Sequence, residues 1–108
     1  MTTPEQADLL RKWVKALRSG EYKQGRDYLW HNDRYCCLGV LCRVAAVPIS
    51  RLSPFFPEES TLSNAGVAWA EAQGYARMND SGTADFIVIA DEIEKRHPEV
   101  FATTEAAP

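Results

Sequence analysis

The sequence predicts an α+β domain, mainly helical, in which a small antiparallel β-hairpin feeds a buried central helix. Three observations carry this. Leu9, Leu10, Trp13, Val14 and Leu17 recur at helical spacing near the N-terminus. The run from Tyr35 to Val47 holds a single charged residue, Arg43, in a chain that is 25% charged, so it has to be enclosed by the rest of the fold. Between the two lies an aromatic and basic stretch broken by His31-Asn32-Asp33, a turn composition.

The first helix is expected over residues 3 to 19. Thr3 can cap it, Pro4 suits the first helical position, and Gln6 stands where the reciprocal partner of a capping box belongs. Arg11, Lys12, Lys15 and Arg18 take the outer face, and Gly20 is the stop. Next, Arg26 to Trp30 has strand-like content, and Arg34-Tyr35-Cys36 returns antiparallel after the turn. The central helix then begins at Cys37 or Leu38 and ends before Pro48.

Residues 48 to 61 read as a loop with three of the six prolines, which the adjacent Phe55 and Phe56 suggest is pinned to the core at one point. A third helix is expected from Leu62 to Gln73, capped by Thr61 or Ser63, with Leu62, Ala65 and Trp69 on one stripe and Gly74 as its end. Asn79-Asp80-Ser81-Gly82 has strong turn chemistry. A last helix follows, capped by Thr83 or Asp85, with Phe86, Ile87, Ile89, Ala90 and Ile93 facing the core and its end at Arg96-His97. Asp91 with Lys95 and Glu92 with Arg96 are spaced to pair on its outer face. The domain is thus expected over 1–101, with 102–108 a disordered tail.

At 108 residues the chain has room for one domain that buries roughly two-thirds of its unfolded surface, so neither metal nor disulfide is required. A net charge of −3 with scattered Lys and Arg argues against a general or sequence-specific nucleic-acid binder. No apolar run approaches the ~20 residues of a membrane span, and the polar start Met1-Thr2-Thr3-Pro4-Glu5 is unlike a signal peptide. Three cysteines, an odd number, point to reduced thiols and a cytoplasmic setting.

The run Trp13 to Tyr22, the block YCCLGVLC at 35 to 42, and MNDSG at 78 to 82 followed by Phe86-x-x-Ile89-Ala90-Asp91-x-Ile93-Glu94 together resemble a group of small uncharacterised proteins of tailed phages and prophages. The resemblance covers most of residues 13 to 94, and YCCLGVLC is its specific part. This chain departs from it in having Ala84 and Asp85 between Thr83 and Phe86. What it implies is a phage-associated accessory protein; proteins of this kind often act by binding, including as antagonists of host defence.

The chemistry-bearing residues form three sets. Cys36, Cys37 and Cys42, with His31, give a spacing unlike the short paired knuckles of structural zinc, so no metal and no cofactor is expected. Cys36 or Cys37 at a helix N-terminus, with His31 as base, would suit a cysteine-dependent hydrolase or transferase, because the helix dipole stabilises a thiolate. Against this stands the simpler role of the thiols as small buried hydrophobes.

The second set lies where Tyr22, Tyr28, Trp30 and Tyr35 interleave with Lys23, Arg26 and Arg34, and its candidate binding members are Arg26, Tyr28, Trp30 and Arg34. With Leu29 and Tyr35 turned inward, alternation turns these outward, as aromatic and guanidinium groups suited to a protein hot spot or a nucleotide. Asn79 and Asp80, in the expected turn, complete the candidate binding surface. The leading expectation is a non-enzymatic binding protein for a host protein or small nucleotide. The cysteine enzyme and a phage structural or assembly protein that forms a homo-oligomer are the alternatives.

Overall fold

A computed structural model describes residues 2–49, 54–82 and 84–101. The expected tail at 102–108 and Thr83 as a helix cap lie outside the described residues. The architecture is α+β, with six helices and a three-stranded sheet among the described residues.

Helix α1 spans Pro4–Ser19, and its capping box is complete: the Thr3 hydroxyl accepts from the Gln6 amide while Gln6 accepts from the Thr3 amide. Leu10, Trp13, Val14 and Leu17 are buried, so the predicted stripe is the core face. Strands β1 (Lys23–Gln24), β2 (Trp30–His31) and β3 (Arg34–Tyr35) follow, in the sheet order β1-β3-β2. The expected hairpin is β2 and β3, closed by Asn32 at φ 53° and Asp33 at φ 61°. Two successive positive φ angles match the right-handed twist of a two-residue hairpin, and Asn and Asp tolerate them.

The first hairpin strand is shorter than predicted. Asp27 takes φ 69° and its amide donates to Asp80 Oδ1 at 2.9 Å, so the backbone before Tyr28 leaves the extended conformation. Strand β1 was not expected and pairs parallel to β3.

Helix α2 is Cys37–Val44, shorter than the apolar run, and residues Cys37 to Cys42 are all buried. Its first turn lies against the backbone of Leu29. The Leu29 carbonyl accepts from the Cys36 amide at 3.3 Å, and a Cβ on Gly39 would come within 1.8 Å of that same oxygen. Glycine in the YCCLGVLC block is therefore a requirement of close backbone approach. On the far side of α2, the Trp13 indole donates to the Cys37 carbonyl at 2.8 Å.

The predicted third helix is two helices, α3 (Glu59–Asn64) and α4 (Trp69–Asp80). Gly66 at φ 70° ends α3, with the Val67 amide returning to the Leu62 carbonyl. Gly74 does not end anything: α4 continues through it, burying Ala72, Tyr75 and Asn79. Leu62 and Ala65 are buried as expected, but Trp69 is 48% exposed, because the break at Gly66 rotates it off their stripe. Asn79 and Asp80 belong to the last turn of α4, and only Ser81 and Gly82 form the turn beyond it.

Helix α5 (Phe86–Arg96) is capped by Asp85, whose carboxylate accepts from the Val88 amide. Phe86, Ile89, Ala90 and Ile93 are buried while Ile87 is exposed, a narrower core face than predicted. Glu92 pairs with Arg96 at 2.8 Å, but Asp91 reaches Arg18 of α1 at 2.6 Å instead of Lys95. Helix α6 (Pro98–Phe101), not anticipated, packs Val100 into the core.

Replacing Gly39 by alanine should destabilise the fold by at least the ~1–3 kcal/mol of ordinary overpacking, since the obstacle is backbone and not a movable side chain. Urea unfolding of Gly39→Ala checks this; a midpoint equal to wild type would contradict the packing of α2 on Leu29.

Candidate functional site

The cysteines come first, as the candidate nucleophiles. Cys36 is the N-cap of α2, and its sulfur accepts from the Gly39 amide at 3.4 Å, so the helix N-terminus does act on it as the spacing suggests. Burial nevertheless prevails. Cys36 is 4% exposed, and desolvation raises its thiol to about 11, with Cys42 likewise raised to about 11. Cys37 is fully buried, donates to the Tyr75 carbonyl, and is raised well above the ordinary thiol value by the same cause. A thiol at about 11 is almost wholly protonated at neutral pH, so the low-pKa thiolate of a catalytic cysteine is not formed here. His31, the expected base, is exposed and stacks on Tyr28 with ring centroids 4.6 Å apart. Among the described residues, no three His, Cys, Asp or Glu side chains are grouped to hold a metal ion.

A second group lies where α4 meets α5 and α6. His97 Nε2 and Glu71 Oε2 are 2.5 Å apart, and the Tyr75 hydroxyl donates to the same carboxylate oxygen. The Glu71 hydrogen bond holds His97 above its ordinary value. Burial opposes the low value of Glu71, but its bonds to His97 and Tyr75 keep it below the usual carboxylate range. His97 is 7% exposed, and its backbone carbonyl accepts from the Val100 and Phe101 amides. The group closes the α5 end and ties α6 to α4, in keeping with the simple reading of His97 as a helix terminus.

Asn79 is the residue whose placement departs furthest from expectation. It is 1% exposed, and its amide makes four hydrogen bonds: Oδ1 accepts from Gln24 Nε2 at 2.9 Å and from the Cys37 amide at 3.2 Å, while Nδ2 donates to the Gly25 carbonyl at 2.7 Å and to Asp80 Oδ1 at 3.1 Å. Asp80 is half-buried and engaged by Asn79 and the Asp27 amide. Both hold the hairpin to the helices. As a surface for a ligand, Asn79 is withdrawn from solvent.

Arg26, Tyr28, Trp30 and Arg34 are all exposed, and Leu29 is buried with Tyr35 half-buried, as alternation predicted. They do not form one patch, however. Arg26 lies against Gly82, where a Cβ would come 2.3 Å from its Nη2, and lines an open cleft of about 180 Å³ with Gln24, Asn79, Ala84 and Asp85. That volume is below the ~300 Å³ at which pockets begin to enclose small molecules. Trp30 is paired across the sheet with Tyr35, whereas Arg34 is paired with His31 on one side and Lys23 on the other. Successive residues of a strand face opposite ways, so Trp30 and Arg34 stand on opposite faces of the sheet.

The face of Arg34 continues beyond the sheet. Tyr28 stacks on His31 and also meets Phe55, at 5.1 Å between centroids, because the Leu29 amide donates to the Pro54 carbonyl and draws that loop alongside. Phe56, the other ring of the pair, packs on the core and touches Trp69 at 4.6 Å, so the loop is pinned through one Phe and displays the other. Phe55 was missed as a surface residue by sequence reasoning. The Asn32-Asp33 turn signal fixes the register of His31 against Arg34, but nothing local announces the parallel pairing of β1 or the arrival of Phe55.

Residues 6–51 match a family model described as Domain of unknown function (DUF8296). The matched segment takes in α1 from Gln6 onward, the sheet and α2, including the YCCLGVLC block. No curated protein and no solved structure matches the chain.

Proposed function

We propose that the chain is a phage-type accessory binding protein, without catalysis of its own, that works in the cytoplasm of a host cell as an antagonist of defence. It would do so by engaging a host protein or by sequestering a small nucleotide. The observation that carries this reading is the exposure of Trp30 and Arg34 on a short sheet, with Tyr28 beside it, where the backbone next to the strands is held by Asn79 and Asp80. Large rings and a guanidinium group on a pre-ordered backbone lose little entropy on binding, which favours recognition. The resemblance to small phage proteins supports the setting, and the buried, protonated thiols weigh against the cysteine hydrolase or transferase.

Native mass spectrometry of the protein purified from infected cells, compared with a Trp30→Ala, Arg34→Ala double variant, tests the binding reading. A bound mass present in the wild type and lost from a folded double variant is the expected result, and its retention would overturn the assignment of these residues. Mild alkylation at neutral pH tests the absence of a cysteine nucleophile. Labelling is expected only after denaturation, and rapid labelling of Cys36 or Cys37 in the native protein would reinstate the enzyme.

A further inference from the structure

The pairing of the three strands lines up groups that the sequence keeps apart. Lys23 on β1, Arg34 on β3 and His31 on β2 are successive cross-strand neighbours, all exposed, and therefore stand in one row on one face of the sheet. With neighbouring strands ~4.8 Å apart, this row spans about 10 Å. The Arg34 guanidinium is steadied by donating to the Gln24 carbonyl at 3.3 Å. From His31 the row passes directly into stacked rings: His31 on Tyr28 at 4.6 Å and 24° between planes, then Tyr28 against Phe55 at 5.1 Å and 36°. The end ring, Phe55, is 59% exposed. Cationic groups at one end of a strip and aromatic faces at the other reproduce the two needs of a nucleotide, whose phosphate takes a charged donor and whose base takes a π-face.

We propose that the strip from Lys23 through Arg34, His31 and Tyr28 to Phe55 binds a nucleotide, with phosphate over Lys23 and Arg34 and base against the ring stack. This rests on the reading of the hairpin as a binding surface and names its ligand chemistry. Two fixed cations make it a short contact, not a track for a long polyanion, which agrees with the net charge of −3. Asp33 in the adjoining turn further limits the positive field. The same chemistry is offered by a free nucleotide and by a single-stranded oligonucleotide.

Fluorescence anisotropy and calorimetry at low salt, with ATP and with twelve-residue oligo(dT) and oligo(dA), provide the test. Saturable binding of ATP equal to that of the oligonucleotides assigns the site to a free nucleotide, whereas binding of the oligonucleotides alone assigns it to a single strand; either supports the proposal. The slope of log K against log salt for the oligonucleotide should be about −1.4, from two phosphate contacts at ~0.7 each. Phe55→Ala should weaken binding about 5-fold or more and Phe55→Trp should preserve it, as expected when a stacked ring is lost or kept. Arg34→Ala should weaken it and flatten the slope, and Ile87→Ala, at an exposed position of α5 outside the strip, should leave it unchanged. Phe55 is exposed, so thermal melts of its variants should match wild type. Absence of saturable binding of all three ligands, or equal losses in Ile87→Ala and Phe55→Ala, overturns the proposal. If the nucleotides fail while the double variant at Trp30 and Arg34 still sheds a bound protein, this inference falls and the binding reading stands.

Discussion

The side-chain amide of Asn79 is the contact on which the arrangement depends. From the last turn of α4 it reaches Gln24 and Gly25 in and beside β1 and the first amide of α2. Its removal would leave the buried Cys37 amide without its acceptor, at a cost of ~1–3 kcal/mol, and would also strip the Gly25 carbonyl of its donor. Against a total stability of ~5–15 kcal/mol for a domain, losses of that order are large. The Leu29 backbone provides the complementary hold, since its carbonyl meets Cys36 and Gly39 and its amide meets Pro54. Between these two anchors a sheet of two-residue strands, too short to stand alone, is given a fixed position.

This division explains why the most distinctive sequence block carries no exposed chemistry. YCCLGVLC is distinctive because it has to meet Leu29, Trp13 and Asn79 at once: glycine for the close approach, small apolar thiols for the interior, a free carbonyl for the indole. The helix N-terminus that could have activated Cys36 is spent on a weak cap, and desolvation overrides it. What α2 supports lies outside it, on the strands and the Pro54 loop.

Much of the fold was legible because its signals are local. Thr3, Pro4 and Gln6 specify the start of α1 within four residues, Asp85 caps α5, and the unbroken apolar run could only be interior. The errors share one cause, that a residue's local preference was settled by distant partners. Gly74 has the composition of a helix end, but packing of Tyr75 and Asn79 beyond it carries α4 through, and the break falls at Gly66 instead. Asn79-Asp80 has turn composition, yet Asn79 is claimed by groups 42 to 55 residues away, which keep it in the helix. Arg26, Tyr28, Trp30 and Arg34 are exposed as expected while Asn79 is buried and Asp80 half-buried, and the division of the exposed four between two faces and a cleft follows from strand register and from a parallel pairing that no local pattern encodes.

Hydrogen–deuterium exchange of an Asn79→Ala variant measures the anchoring role directly. If this amide holds the sheet to the helices, exchange should accelerate across residues 23 to 37 while the amides of α1 and α5 keep most of their protection, the signature of a local opening. Unchanged exchange in the sheet, or a uniform rise over the whole chain, would contradict the account.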